Sequence, residues 1–169
     1  MTSSEAGKPK DLVRISFKLD PTEWHGHTRE WIWAEAIPEA PDIYRIKNSP
    51  FFTRGISLMD LVRALPSEEI SGQLEAVSVA EKCGHSNYMV INQTREDDFV
   101  KYWGRLEEIG CSFESAHLPI DGDNKLLYAI DVPPNADIFD VYKILSSGEK
   151  DGIWLFQEGA MGHDVKSRP

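Results

Sequence analysis

The stretch Cys83-Gly84-His85-Ser86-Asn87-Tyr88-Met89-Val90-Ile91-Asn92 divides the chain into two unlike halves. Gly84 lets the backbone bend, and Asn87 to Asn92 reads as the first, central strand of the second half. Phe99, Trp103, Leu106 and Ile109 are spaced as one helical stripe. Thr94 is placed to cap that helix, Glu96, Asp97 and Asp98 sit at its positive end, and Gly110 stops it. Cys111 to Leu118 and Lys125 to Val132 read as strands, the second with Leu126, Tyr128 and Ile130 on one face. Ile138, Val141, Tyr142 and Leu145 form a second helical stripe after Pro133-Pro134-Asn135, and Ile153 to Phe156 is the last strand. Strand, helix, strand, strand, helix, strand predicts a ferredoxin-like βαββαβ arrangement over 84–158, with both helices on one sheet face.

Upstream of the divide the pattern is short strands and turns. Ile15, Phe17 and Leu19 alternate with polar residues. In 29–37, Trp31 and Trp33 share one face and Ile32, Ala34 and Ala36 the other, which predicts a strand covered on both sides. Ile43 to Ile46 is its return strand, and Leu74 to Lys82 is a further one. Leu58, Leu61, Val62 and Leu65 have the spacing of a helix face, with Ser57 and Asp60 as a cap pair. That segment is short and lies between strands, so residues 56–65 admit both helix and strand. No internal repeat or low-complexity tract is visible. Residues 1–10 read as a disordered tail and 159–169 as a loose one.

With 18 Lys and Arg against 28 Asp and Glu, the formal net charge is −10. That excludes a nucleic-acid binder, whose affinity rests on cations against phosphate, and an anionic membrane surface. It favours encounter with a basic protein. Cys83 and Cys111 read as buried free thiols. The first ten residues lack a signal-peptide pattern, and no apolar run approaches the ~20 residues of a membrane span, so the expectation is a cytoplasmic protein.

Several motifs together resemble a bacterial family catalogued only as a domain of unknown function, number 4265. They are Glu30 to Glu35, Tyr44 to Phe52, Arg54 to Val62, Gly84 to Ser86, Tyr128 to Pro134 and Gly152 to Trp154. Met59 stands where the family leads one to expect Gly, and Met89 where it leads one to expect Arg. The resemblance implies a β-rich, small-barrel-like N-terminal half over 11–83, and hence 56–64 mainly extended. The fold expected is therefore α+β, a small barrel followed by the ferredoxin-like half. The resemblance brings no reaction, and some relatives resemble inhibitor partners of antibacterial toxins.

Candidate chemistry is sparse. His25 and His27, two apart, can share a metal on one side of a strand, with His163 or Glu30 as further ligands; a plain loop is the alternative, and no metal or cofactor is expected. Cys83 and His85 lack an orienting carboxylate, so His85 and Ser86 read as hydrogen-bonding to backbone at the bend. Asp60 lies among apolar neighbours and needs a partner, Arg54 or Arg45. Arg54, Asp60, His85 and Ser86 thus form a possible ligand-binding or structural polar site. Tyr88 and Tyr128 on central strands suggest packing against the first half rather than RNA stacking. The carboxylates Glu96, Asp97, Asp98, Asp121, Asp123, Asp137 and Asp140 are the candidate surface for a protein partner. The functional expectation is a non-enzymatic immunity protein, a monomer or small homo-oligomer, occluding a basic toxin domain. The alternative is a small-molecule-sensing regulatory module of the amino-acid-binding type.

Overall fold

The computed structural model describes residues 11–120 and 122–166; the tail expected at 1–10 and Asp121 lie outside them. Five strands make the first half: β1 (Leu12–Lys18), β2 (Arg29–Ala36), β3 (Ile43–Ile46), β4 (Leu61–Pro66) and β5 (Leu74–Glu81). Successive strands pair antiparallel, and β5 returns parallel to β1 to close a barrel. Side chains alternate across a strand, so Ile15, Phe17, Ile32, Ala34, Val62 and Ala64 fill the interior with Ile46 and Ile56. The expectation that β2 is covered on both sides is corrected here: Trp33 is 46% exposed. The outer face is held by Arg14, whose guanidinium carbon lies 5.4 Å from the Trp31 ring and 5.8 Å from the Trp33 ring.

The barrel contains a repeat that the sequence conceals. In the β2–β3 hairpin Ala34, Glu35 and Ala36 face Ile46, Arg45 and Tyr44; thirty positions on, Ala64, Leu65 and Pro66 face Ala76, Glu75 and Leu74. The loops match as well. Ile37 N–H donates to Ile43 O in one and Ser67 N–H to Gln73 O in the other, with positive φ at Asp42 and Gly72. A buried carboxylate at the start of each hairpin accepts a backbone N–H 23 residues further on, Glu30 within β2 from Thr53 and Asp60 just before β4 from Cys83.

Residues 57–60 make a turn and β4 begins at Leu61, so the helix spacing here does not produce a helix. Half of the expected cap survives in the turn: Asp60 accepts the Ser57 N–H at 2.9 Å. Met59 has φ 71, a left-handed conformation that a side chain disfavours and glycine adopts freely.

The second half consists of β6 (Ser86–Asn92), α1 (Glu96–Ile109), β7 (Ser112–Ile120), β8 (Asp123–Val132), α2 (Ile138–Lys150) and β9 (Trp154–Ala160). The strands form an antiparallel sheet in the order β7-β8-β6-β9. Tyr88, Val90, Tyr128, Ile130 and Trp154 pack against Phe99, Trp103, Leu106, Val141 and Leu145 of the helices. Tyr88 and Tyr128 therefore face the helices, not the barrel as expected. On α2, Ile144 is buried and Tyr142 is 54% exposed, which shifts the expected stripe. Arg95, with no side-chain cap, precedes α1 in place of Thr94, while Asp137 caps α2 through Phe139 N–H and Asp140 N–H. Two residues assigned to a loose tail, Gly159 and Ala160, belong to β9 and are buried. No helix among the described residues is long and apolar enough to cross a membrane.

A strap from Ser49 to Gly55 joins the halves by crossing the sheet face opposite the helices. Ser49 N–H donates to Glu114 of β7 at 2.8 Å, Pro50 O accepts from Asn87 of β6 at 3.1 Å, and Gly55 N–H donates to Gly159 O of β9 at 2.9 Å. Glu30 shapes the strap. Its buried carboxylate accepts N–H groups from Phe51, Phe52 and Thr53 at 2.6, 3.1 and 2.7 Å, and the Thr53 hydroxyl at 2.7 Å. Removing that acceptor strands partly buried amides, at a cost on the order of 3 kcal/mol for Glu30→Ala and about half for Glu30→Gln, read from urea unfolding. Met59→Gly, relieving the left-handed strain, should leave the urea midpoint unchanged or raise it; Met89→Ala, at a site 3% exposed, should cost about 2–3 kcal/mol.

Candidate functional site

Three of the four residues of the polar site that the sequence singles out, Asp60, His85 and Ser86, gather at the junction where β5 leaves the barrel and β6 enters the sheet. Asp60 is fully buried, and its partners are not the arginines expected. It accepts the Cys83 N–H at 2.8 Å and pairs with the Lys82 ammonium at 2.8 Å. Arg45 instead donates to Met59 O at 3.1 Å. Arg54 stands apart from the junction, exposed, paired with Glu23 at 3.2 Å and reaching Gln157 at 3.5 Å.

His85 bonds a carboxylate rather than the backbone: its Nδ1 lies 2.9 and 3.1 Å from the Asp131 oxygens. A carboxylate only accepts, so Nδ1 carries the proton when Asp131 is ionised. Burial pushes the Asp131 carboxyl above its ordinary range, and the His85 contact opposes that shift. Ser86 accepts the Gly162 N–H at 3.0 Å and the His163 N–H at 3.3 Å, backbone groups remote in sequence and not those of the bend. It also lies 2.6 Å from His163 Nδ1, while His163 Nε2 lies 2.9 Å from Pro133 O. The carbonyl accepts, so Nε2 carries the ring proton and Nδ1 accepts a hydrogen bond from the Ser86 hydroxyl. These bonds pin residues 161–163 to the sheet. The residues of the ligand-binding or structural polar site thus lie in three hydrogen-bonded clusters, Asp60–Lys82–Cys83, His85–Asp131 and Ser86–His163, with Arg54 apart from them. His163 and Asp131, remote in sequence, carried no local signal that they belong here.

The histidine pair of the 23–27 loop is not drawn toward a shared ion. His27 N–H donates to His25 Nδ1 at 2.9 Å, and both rings lie 4.8 Å from Phe52. Glu30 is engaged by the strap, and His163 by Ser86 and Pro133. Among the described residues no group of three or more His, Cys, Asp and Glu is placed to hold a metal. Cys111 is buried and its thiol is pushed up to about 12 by burial; Cys83 is only half-buried.

The carboxylates divide between two ends of the sheet. β6 ends at Asn92 opposite Trp154, which brings the start of α1 to the end that also carries the β7–β8 hairpin. Glu96, Asp97, Asp98 and Asp123 share this end, where a cleft of about 460 Å³ lies between Thr94, Glu96, His117 and Asn124. All four are exposed and none is in an ion pair among the described residues. Asp137 and Asp140 follow β8 at the opposite end, where Val132 faces Ser86. On the free face of the sheet an apolar groove of about 330 Å³ runs between Trp24, Met89, Ile91, Ile120 and Leu155. Ile120 is the cross-strand partner of Asp123, which places that carboxylate on the groove's face.

The family model described as "Domain of unknown function (DUF4265)" matches residues 30–156. A solved structure titled "Novel crystal structure of a hypothetical protein from Neisseria gonorrhoeae" shares the fold with a TM-score of 0.68 at 16% identity, over 91% of this chain and 98% of that one. No curated protein matches.

Two measurements check the junction. At pH 8, iodoacetamide should label the native protein at Cys83 and reach Cys111 only after unfolding. A carboxyl whose pKa is raised by folding favours the fold while protonated, and that contribution is lost as pH climbs past the raised value. Asp131→Asn should therefore gain stability relative to the parent between pH 3 and pH 7, read from urea midpoints along the series.

Proposed function

We propose that this chain, which belongs to the DUF4265 family, works by binding another protein and performs no reaction of its own. The observation that carries the reading is where charge is spent and where it is free. The histidine, serine and aspartate groups of the junction are engaged with one another. Asp123, by contrast, stands exposed on the face of the apolar groove, and Glu96, Asp97 and Asp98 stand exposed at the start of α1, at the same end of the sheet. An acidic end next to an apolar sheet face suits a basic partner, since complementary charge speeds encounter and apolar contact slows release. The reading specifies an immunity protein that covers the active surface of a basic toxin domain in the cytoplasm. Within the α+β fold, we read the second half as a split βαβ unit, supported by its strand order and antiparallel pairing.

The test is co-expression with the products of the neighbouring genes, toxin domains first among them. A one-to-one complex that weakens with salt, and rescue of intoxicated cells, are the expected results. Charge reversal of Asp97, Asp98 and Asp123 to Lys should weaken the complex about tenfold or more, with the chain still folded and its melting temperature lowered only slightly, since lysines at 97 and 98 oppose the α1 dipole. Neither complex nor rescue would overturn the reading.

A further inference from the structure

At the junction the polar side chains hold one another; at the far end of the sheet they do not. There the cleft of about 460 Å³ opens between the start of α1, the last residues of β6 and the β7–β8 hairpin. Its floor lies on the helix-covered face of the sheet. Val90 of β6 and Phe113 of β7 pack against the helices, so by alternation Asn92 and His117 face the same way. His117 lies directly opposite Leu126 of β8, and Asn124 shares that face of the strand. Glu96 overhangs the floor from α1: burial first, and the Glu96 charge second, push the Tyr128 hydroxyl on this face above its ordinary value.

Asn92 is 8% exposed and lines this cleft. Its Oδ1 accepts the Thr94 N–H at 3.1 Å and the Thr94 hydroxyl at 3.2 Å, which fixes the side chain. Its Nδ2 has no partner among the described residues, so a donor of a deeply set amide is left open. The side chains of Gln93, His117 and Asn124 are likewise without hydrogen-bond partners among the described residues. Glu96 and Lys125 line the same cleft, and neither is in an ion pair, with the other or with any described residue. Convergent polar groups that the protein does not use itself, around a hollow of this size, are what a small-molecule site presents.

From this we infer that the cleft binds a free α-amino acid with a polar, uncharged side chain. Charge selects that occupant. A simple anion would face Glu96, with Asp97, Asp98 and Asp123 at the same end of the sheet. A simple cation would face Lys125. A zwitterion satisfies both: its ammonium pairs with Glu96, and its carboxylate accepts from Lys125 and from Asn92 Nδ2. Gln93, His117 and Asn124 leave donors and acceptors for the ligand's own side chain, while Leu126 alone offers apolar surface, too little for an aliphatic or aromatic one. The inference goes beyond the protein-binding reading and does not depend on it.

The test titrates the isotope-labelled full chain with L-glutamine, L-asparagine, L-serine and L-threonine and follows amide resonances by NMR. At least one should bind saturably with a Kd on the order of 1 mM or tighter. Its shifts should centre on the Asn92 side-chain amide and on the backbone of 93–96, 117 and 124–126. The N-acetyl derivative of that ligand lacks the ammonium and its carboxamide lacks the carboxylate; each should bind about tenfold or more weakly. Glu96→Gln and Lys125→Met should weaken binding by a similar factor. Both side chains lie outside the core, so unchanged resonances elsewhere show that the variants are folded. Putrescine and succinate, each with one sign of charge, should leave the Asn92 side-chain amide unshifted. No saturable binding by any of the four amino acids, shifts centred elsewhere, or full affinity in the blocked derivatives or in both variants would overturn the inference. So would putrescine or succinate binding at this cleft as tightly as the amino acid.

Discussion

A single carboxylate sets how the two halves of this protein meet. Glu30 projects from β2 into the bend of the strap and gathers three amides and a hydroxyl around itself. Unpaired amides at that depth are costly, and an ionised acceptor satisfies them with charge-assisted bonds. With Phe51 to Thr53 held in that bend, Pro50 and Gly55 are presented to β6 and β9 at the positions where their hydrogen bonds form. The barrel is thereby fastened to the sheet face that the helices leave bare.

The same device appears twice. Asp60 stands thirty positions after Glu30 and collects the Cys83 amide at the same sequence separation as Glu30 collects Thr53. The first copy shapes the strap that crosses the sheet. The second shapes the exit from β5 into β6, where Lys82, Cys83, His85 and Ser86 form the junction. The barrel thus consists of β1 and two equivalent hairpins, and each hairpin ends in a linker fixed by a buried acid. Positive φ at Met59 sits immediately before the second acid, which accounts for the glycine that the family resemblance leads one to expect there.

These links bear on function. Residues of the type used for acid–base chemistry serve here to tie segments together: His85 to Asp131, and His163 to Ser86 and Pro133. The surfaces left over are of another kind. One is an acidic end with an apolar groove on the sheet's free face, and the other is a slit over the barrel core beside β5. Arg54 lies between them and touches both.

Local pattern was enough for the second half. The 3.6-residue stripes of α1 and α2 and the alternation of β8 reflect burial on one face, which is written in nearest neighbours along the chain. The α+β class, the order of elements, the Gly110 stop and the surface position of the acidic groups at 96–98 were legible for that reason. The hairpin repeat was not. Two hairpins can share register and loop geometry while their side chains diverge, because register answers to backbone pairing and to inward or outward facing rather than to residue identity. The partners of Asp60, His85 and Ser86 were equally hidden, since Asp131 and His163 reach the junction only through strand pairing across the sheet. Residues 57–65 show the contest most plainly. Their apolar spacing favours a helix, but extended pairing between β3 and β5 buries Val62 and Ala64 and outweighs that local preference. Sequence determined which residues turn inward and which carry the charge; tertiary structure decided which polar groups meet, because those distances are set by the sheet and not by the chain.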